Sequence, residues 1–186
     1  MKIRYILALI MLSIAALACS IFVGGPAYPD SPIPVSTEAT QSLQSSIEQA
    51  ISDGAQTGTI TLQITESQLT SYLASKLDSQ LNPMISEPQV LLRQGQMKIY
   101  GKAQSGIFIA NISITTQVSV DENGQPKIEI TQTDFGPLPA PQGVNDAISA
   151  FIREAFTGPL GPVATGFRLD GISIADGVMV VTGHVR

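Results

Sequence analysis

The chain has one cysteine, one histidine and no tryptophan, and only 13% of its 186 residues are charged. A lone cysteine, Cys19, has no partner for a disulfide and offers no thiolate pair to a metal. With His184 as the single histidine, a structural zinc site is excluded. His184 falls near the end of the last predicted strand, where a solvated or edge-pairing role is expected of it. No Gly-x-Ser-x-Gly elbow and no phosphate-binding glycine loop occurs. The carboxylates Asp134, Asp146, Glu154, Asp170 and Asp176 are scattered. Asp121 and Glu122 flank a turn that has too few oxygen ligands for calcium and are expected to cap it. No basic run exists, which argues against nucleic acid as a partner. We therefore expect no catalytic residue, no metal and no cofactor, and a protein that is not an enzyme.

What the chain does have is one strongly hydrophobic run at its start. Lys2 and Arg4 precede the uncharged stretch Ile6–Ala18, and Ala16-Leu17-Ala18 places small residues ahead of Cys19. A basic start, a short apolar run and a small-residue site read as a signal peptide over residues 1–18. A cysteine directly after it points to a bacterial lipoprotein, acylated (with palmitate or a similar chain) on Cys19 and anchored to a membrane on the extracytoplasmic side of the cell envelope. Leu17 stands one position closer to the cysteine than the usual lipobox leucine. The same bond also suits an ordinary secretory cut, and Tyr5–Gly25 is long enough for an uncleaved anchor. Secretion and an uncleaved anchor thus stay open as alternatives, and all three place the residues beyond 25 outside the cytoplasm. Removing Lys2 and Arg4 from the 10 basic residues leaves 8 against 15 acidic, a net −7, so charge alone would not hold the protein on an anionic membrane.

Pro26, Pro29, Pro32 and Pro34 follow Gly24 and Gly25 within a few residues. Residues 19–35 accordingly read as the lipidated N-terminus and an extended Pro-rich linker, a stalk. Residues 36–186 read as one domain, long enough to bury roughly two-thirds of its surface.

Within that domain Ser36 is positioned to cap a first helix with Leu43, Ile47, Ala50 and Ile51 on one face and Gly54 at its end. Thr59–Ile64 alternates as a half-buried strand. Thr65 and Gln68 form a capping box, flanked by Ile64 and Leu69 as a hydrophobic staple. Leu69, Tyr72, Leu73, Leu77 and Leu81 then form the stripe of a second helix that Asn82-Pro83 stops. From Pro88 the period changes to two. Val90–Arg93 and Met97–Gly101 make a hairpin around Gln94-Gly95. Ala110–Val120 is a long strand, and Asn123-Gly124 turns it back into Ile128 and Ile130. Pro137, Pro139 and Pro141 break the pattern before a third helix with Val144, Ile148, Phe151, Ile152, Ala155 and Phe156 on its stripe. Phe167–Ile174 and Val178–Val185 close the chain as a hairpin around Asp176-Gly177. The spacing Val90-x-Leu92-x-x-Gly95-x-Met97-x-Ile99-x-Gly101 recurs as Ile172-x-Ile174-x-x-Gly177-x-Met179-x-Val181-x-Gly183. Both copies carry a glycine in mid-strand, where sheets bend or another backbone comes close.

The order of these elements resembles the LmeA-like and YpmS-like families of small bacterial envelope proteins. The residues that carry the likeness are Ile64-Thr65-Glu66-Ser67-Gln68-Leu69, Gly95-x-Met97-x-Ile99-x-Gly101, Pro137-Leu138-Pro139-x-Pro141 and Ile172-x-Ile174-x-x-Gly177. The resemblance implies a curved antiparallel sheet folded around a long helix, similar to tubular lipid-binding (TULIP-like) proteins, with a cavity that accommodates lipid. It supplies no catalytic residue. The expected fold is α+β, a strongly curved antiparallel sheet of about six or seven strands packed on two or three helices. The expected function is a membrane-tethered lipoprotein that binds or shields a lipid or other apolar ligand. Leu69, Tyr72, Leu73, Leu77, Phe108, Ile112, Ile114, Phe151, Ile152 and Phe156 are the candidates to line the groove. The alternative is an envelope scaffold that binds another protein and has a solid core, because a filled core and an apolar pocket require the same side chains.

Overall fold

The computed structural model describes residues 20–79, 85–138, 149 and 166–185. Cys19, Leu81, Asn82-Pro83, Phe151, Ile152 and Phe156 lie outside these residues, as does the third helix apart from Ser149, which is helical.

Ser36 is extended, and its Oγ accepts the Ala39 N–H at 3.1 Å, which opens helix α1 (Thr37–Thr57). The stripe Leu43, Ile47 and Ala50 is buried. Gly54 does not end this helix, contrary to the sequence expectation. It lies inside the helix, where a Cβ would come within 2.7 Å of the Phe167 ring, so its role is close packing. Gly58, at φ 79°, ends the helix instead and donates its N–H to Gly54 O at 2.8 Å.

Strand β2 (Thr59–Thr65) buries Ile60, Leu62 and Ile64 on alternate positions. Its last residue caps helix α2 (Glu66–Asp78). Thr65 Oγ1 accepts the Gln68 N–H at 3.3 Å, and Gln68 Oε1 accepts the Thr65 N–H at 2.9 Å, which completes the capping box.

Four long strands follow: β3 (Ile85–Arg93), β4 (Gln96–Ser105), β5 (Phe108–Val120) and β6 (Pro126–Asp134), each antiparallel to the next. Gln94 and Gly95, at φ 52° and 77°, make the tight turn between β3 and β4. A short strand β1 (Ile21–Phe22) joins the same sheet, parallel to the start of β5. β8 (Val178–Val185) pairs with both β2 and β7 (Phe167–Ala175) in a second sheet of order β2-β8-β7. The architecture is α+β, with curled antiparallel sheets packed on two described helices.

The sheets are stitched at two points. Gly177 N–H donates to Leu92 O at 3.0 Å, and Leu169 N–H donates to Gly124 O at 3.1 Å. Between the sheets and helices one apolar core joins Leu43 and Ile47, Leu73 and Leu77, Ile60 to Ile64, Leu92, Met97, Ile114, Met179 and Val181. Bulges break the register of β3 between Ser86 and Gln89 and of β7 between Leu169 and Gly171, and bulges of this kind bend a sheet.

The Pro-rich segment forms no helix or strand after Phe22, and it is not a free stalk. Asn111 N–H donates to Gly24 O at 2.9 Å and Asn111 Nδ2 to Pro26 O at 3.2 Å. The Tyr28 hydroxyl donates to Glu87 O, and its ring meets Tyr100 edge-on at 6.1 Å. Gln89 grips both polar groups of Ile33, accepting its N–H at 2.6 Å and donating to its carbonyl at 3.1 Å. Ser71 Oγ accepts the Ser36 N–H at 3.1 Å. The segment is thus a strap that crosses β5, β4 and β3 before entering α1. Prolines suit it because each removes a donor that a single-file strap could not satisfy.

Candidate functional site

The apolar layer between α2 and the curved sheet is the place where the sequence expects a ligand. Capping by Thr65 fixes the start of α2, and with it the direction in which Leu69, Tyr72, Leu73 and Leu77 point. Leu73 and Leu77 are buried in the same core as Ile114, which rises from β5 opposite Ile99. Ile112 is 1% exposed and lies on the same face, opposite Gly101. Leu73, Leu77 and Ile114 are thus brought into one core, and Ile112 is buried without being part of that cluster. Leu69 and Tyr72 are half-buried against that core, and Lys76 Nζ stands 5.7 Å from the Tyr72 ring centroid. Phe108 departs from the expectation. It has the inward parity of Ala110 and Ile112, but it is the first residue of β5 and 43% exposed. There the hairpin outruns the packed layer, so alternation chose its face correctly and could not place it along the strand.

Sequence reasoning passed over several half-buried apolar residues that border the core. Ile128 and Ile130 come from β6, Ile172 and Ile174 from β7, and Phe135 follows β6. Their alternation was legible, but their partial exposure is set by which strands lie at sheet edges.

The edge strand β3 is covered by α2 through polar contacts. Thr70 Oγ1 accepts the Val90 N–H at 3.0 Å and Glu66 Oε1 accepts the Leu92 N–H at 2.6 Å, while Glu66 also pairs with Arg93. The opposite face of the same sheet carries an open groove of about 470 Å³. Lys98, Tyr100, Thr115 and Gln132 are among its lining, and Lys98 Nζ sits 5.0 Å from the Tyr100 ring centroid. This groove is polar and lies outside the apolar layer.

His184 pairs Nδ1 with Asp170 Oδ1 at 2.7 Å, both about half-exposed at the rim of the second sheet. Burial, and then the Glu87 carboxylate, push the Tyr28 phenol up to about 12.

The family model described as LmeA-like phospholipid-binding matches residues 32–184. No curated protein matches the sequence. A solved structure described as the crystal structure of lipopolysaccharide binding protein is similar at 10% identity and a TM-score of 0.29. The likeness covers 69% of this chain and 50% of that one, so the chain spans about half the length of that structure.

Proposed function

The chain belongs to the LmeA-like phospholipid-binding family, and on that footing we propose that it binds a phospholipid at the outer face of a bacterial membrane. The observation that carries this reading is the family match, which runs from the end of the strap through both described helices and strands β2 to β8. The acyl part of the ligand lies in the apolar layer between the helices and the curved sheet. Leu69 and Tyr72 are the stripe residues of α2 that remain partly open there. Acyl chains make no hydrogen bonds, so selection there rests on the shape and length of the apolar surface. The work is binding, with no covalent step. The tether is the acylated Cys19, for which the run Ile6–Ala18 and the small residues before the cysteine are the support.

The burial of Leu73, Leu77, Ile112 and Ile114 favours a second reading, an envelope scaffold with a solid interior, because none of these side chains leaves open surface for a ligand.

One measurement separates the two. The full chain, purified from a bacterial envelope, is weighed by native and by denaturing mass spectrometry, and its uptake of a fluorescent phospholipid is followed. A native mass larger by one phospholipid, lost on denaturation, is the expected result. Equal native and denatured masses together with no uptake would leave the scaffold reading. The denatured mass reports the tether separately, because an acyl increment on Cys19 must disappear in C19S.

A further inference from the structure

Six large apolar side chains are exposed among the described residues: Ile21, Phe22, Val35, Ile107, Phe108 and Val185. Four of them lie together. Ile107 and Phe108 are 50% and 43% exposed at the turn of the β4–β5 hairpin, where Gly106 takes φ 61°. Ile21 and Phe22, 48% and 59% exposed, pair alongside them, Ile21 opposite Phe108 and Phe22 opposite Ile109. Scattered exposed apolar residues need no explanation, whereas a contiguous patch of isoleucine and phenylalanine does.

We infer that this end of the molecule is a membrane-docking tip: Ile21, Phe22, Ile107 and Phe108 enter the interface of a phospholipid bilayer, with β4 and β5 standing on it end-on. Three observations support the bilayer as occupant. First, the apolar run Ile6–Ala18 and Cys19 precede Ser20, so whatever holds the N-terminus to a membrane emerges one residue from Ile21. Second, the tip has no charge to desolvate. Residues 103–120 and 20–29 hold no Asp, Glu, Lys or Arg, and the nearest charge on the hairpin, Lys102, pairs with Glu87 at 2.6 Å. A charge carried into the bilayer would oppose entry. Third, the backbone there is already paired. Ile21 N–H donates to Ile107 O at 2.7 Å and Val23 N–H to Ile109 O at 2.9 Å, so β1 satisfies the edge of β5 that water would otherwise have to satisfy. The short parallel strand thereby has a purpose: it joins the tether to the tip.

The inference rests on the membrane-facing half of the proposed function and is independent of any lipid held inside. The chain has no tryptophan, so F108W carries a single indole emitter. The full chain is reconstituted into phosphatidylcholine–phosphatidylglycerol vesicles with and without brominated acyl chains, beside V185W, which places the emitter on the second sheet. The expected result is a blue-shifted F108W emission, most of it lost to the brominated chains and sheltered from iodide, with V185W unaffected. Emission from F108W that iodide quenches equally with and without vesicles would overturn the tip. Equal quenching of both variants by the brominated lipid would overturn the end-on orientation and the proposal with it. Should F108W fail to fold, I107W on the exposed turn gives the same readings. Native mass spectrometry keeps the two ideas apart, since a chain that carries phospholipid but leaves F108W exposed to iodide loses the tip alone.

Discussion

Glu66 accepts the backbone N–H of Leu92 through Oε1 at 2.6 Å, and so the first residue of α2 closes the open edge of β3. The same residue donates its own N–H to Gly177 O at 3.2 Å and pairs with Arg93. One residue therefore ties a helix start, an edge strand and the turn of the closing hairpin together, the strand through its side chain and the turn through its backbone. An acid at that position also complements the positive end of the helix. Glu66→Ala leaves the Leu92 N–H without an acceptor, and a lost partner of this kind costs about 1–3 kcal/mol. Thr70→Val removes the acceptor of the Val90 N–H one helical turn on and should cost a similar amount. Urea unfolding of the two variants and of Glu66→Gln, which keeps an acceptor, is the measurement. The expected order is a small loss for Glu66→Gln and a larger one for the other two.

The repeated spacing in the two hairpins has a structural counterpart. Gly101 and Gly183 occupy equivalent positions, each beside a bulge on the neighbouring strand. A Cβ on Gly183 would stand 2.5 Å from Arg168 O, and one on Gly101 would stand 2.4 Å from Ile85 Cγ2 and 3.2 Å from Ser86 O. The glycines thus let a bulged strand press close at both bends. Gly183→Ala should destabilise by about 1–3 kcal/mol, as overpacking does, because the obstacle is backbone and cannot swing away. Gly171→Ala is the contrast. Its Cβ meets Thr182 Oγ1 at an ordinary 3.6 Å, and the change should stay within about 0.5 kcal/mol. Thermal unfolding of both checks the pair, and equal losses would mean that the close approach is not what Gly183 provides.

Much of this fold was legible in the sequence because local signals and global packing agree. Thr65 with Gln68, Gln94-Gly95 and the alternation of Thr59–Ile64 each specify one local structure, and each is found. The failures come from contacts distant in sequence. Gly54 reads as a terminator until Phe167 is seen against it. The Pro-rich strap reads as a stalk because its anchors, Asn111, Glu87 and Gln89, lie far along the chain. Phe108 shows the limit for the site: parity gives its face, while its exposure depends on where the helix layer stops. Leu73 and Leu77 show another, since a core leucine and a pocket leucine are chosen by the same hydrophobicity.

Tyr28 makes the strap sensitive to alkaline pH. Its phenol is raised from 10.0 to about 12, first by burial and second by the Glu87 charge. The folded protein therefore favours the neutral phenol, which donates to Glu87 O. A group raised on folding contributes stability that is complete below its unfolded value and is lost as pH climbs through the folded one. The contribution of Tyr28 should persist to near pH 10 and disappear towards pH 12. A spectrophotometric titration of phenolate absorbance, with Tyr28→Phe subtracted, should reveal one late-titrating tyrosine. Alkaline loss of strap protection in hydrogen exchange should follow the same curve. Titration of Tyr28 at the ordinary value would show that the hydroxyl is not held against Glu87.

Asp121 should set the acid limit of the opposite seam. Its carboxylate is held below the ordinary 3.8 chiefly by the Gln125 backbone N–H, with further help from the Asn123 N–H, its side chain and Arg168. Oδ1 accepts these two N–H groups at 2.7 and 2.9 Å and so shapes the turn that offers Gly124 O to Leu169 N–H. A carboxylate lowered on folding contributes stability that is present above its unfolded value and is lost as pH falls through the folded one. The turn should therefore hold through pH 3.8 and open only below it. Amide shifts of Asn123 and Gln125, followed by NMR from pH 6 downwards, should move together at a midpoint under the ordinary carboxylate value. The Leu169 amide should lose protection in step, because its acceptor is carried by the same turn. In Asp121→Asn the coupled movement should vanish, since the amide cannot titrate. A midpoint at or above 3.8 would mean that the two N–H bonds do not favour the charged form, and that the seam is held by Arg168 and Leu169 without it.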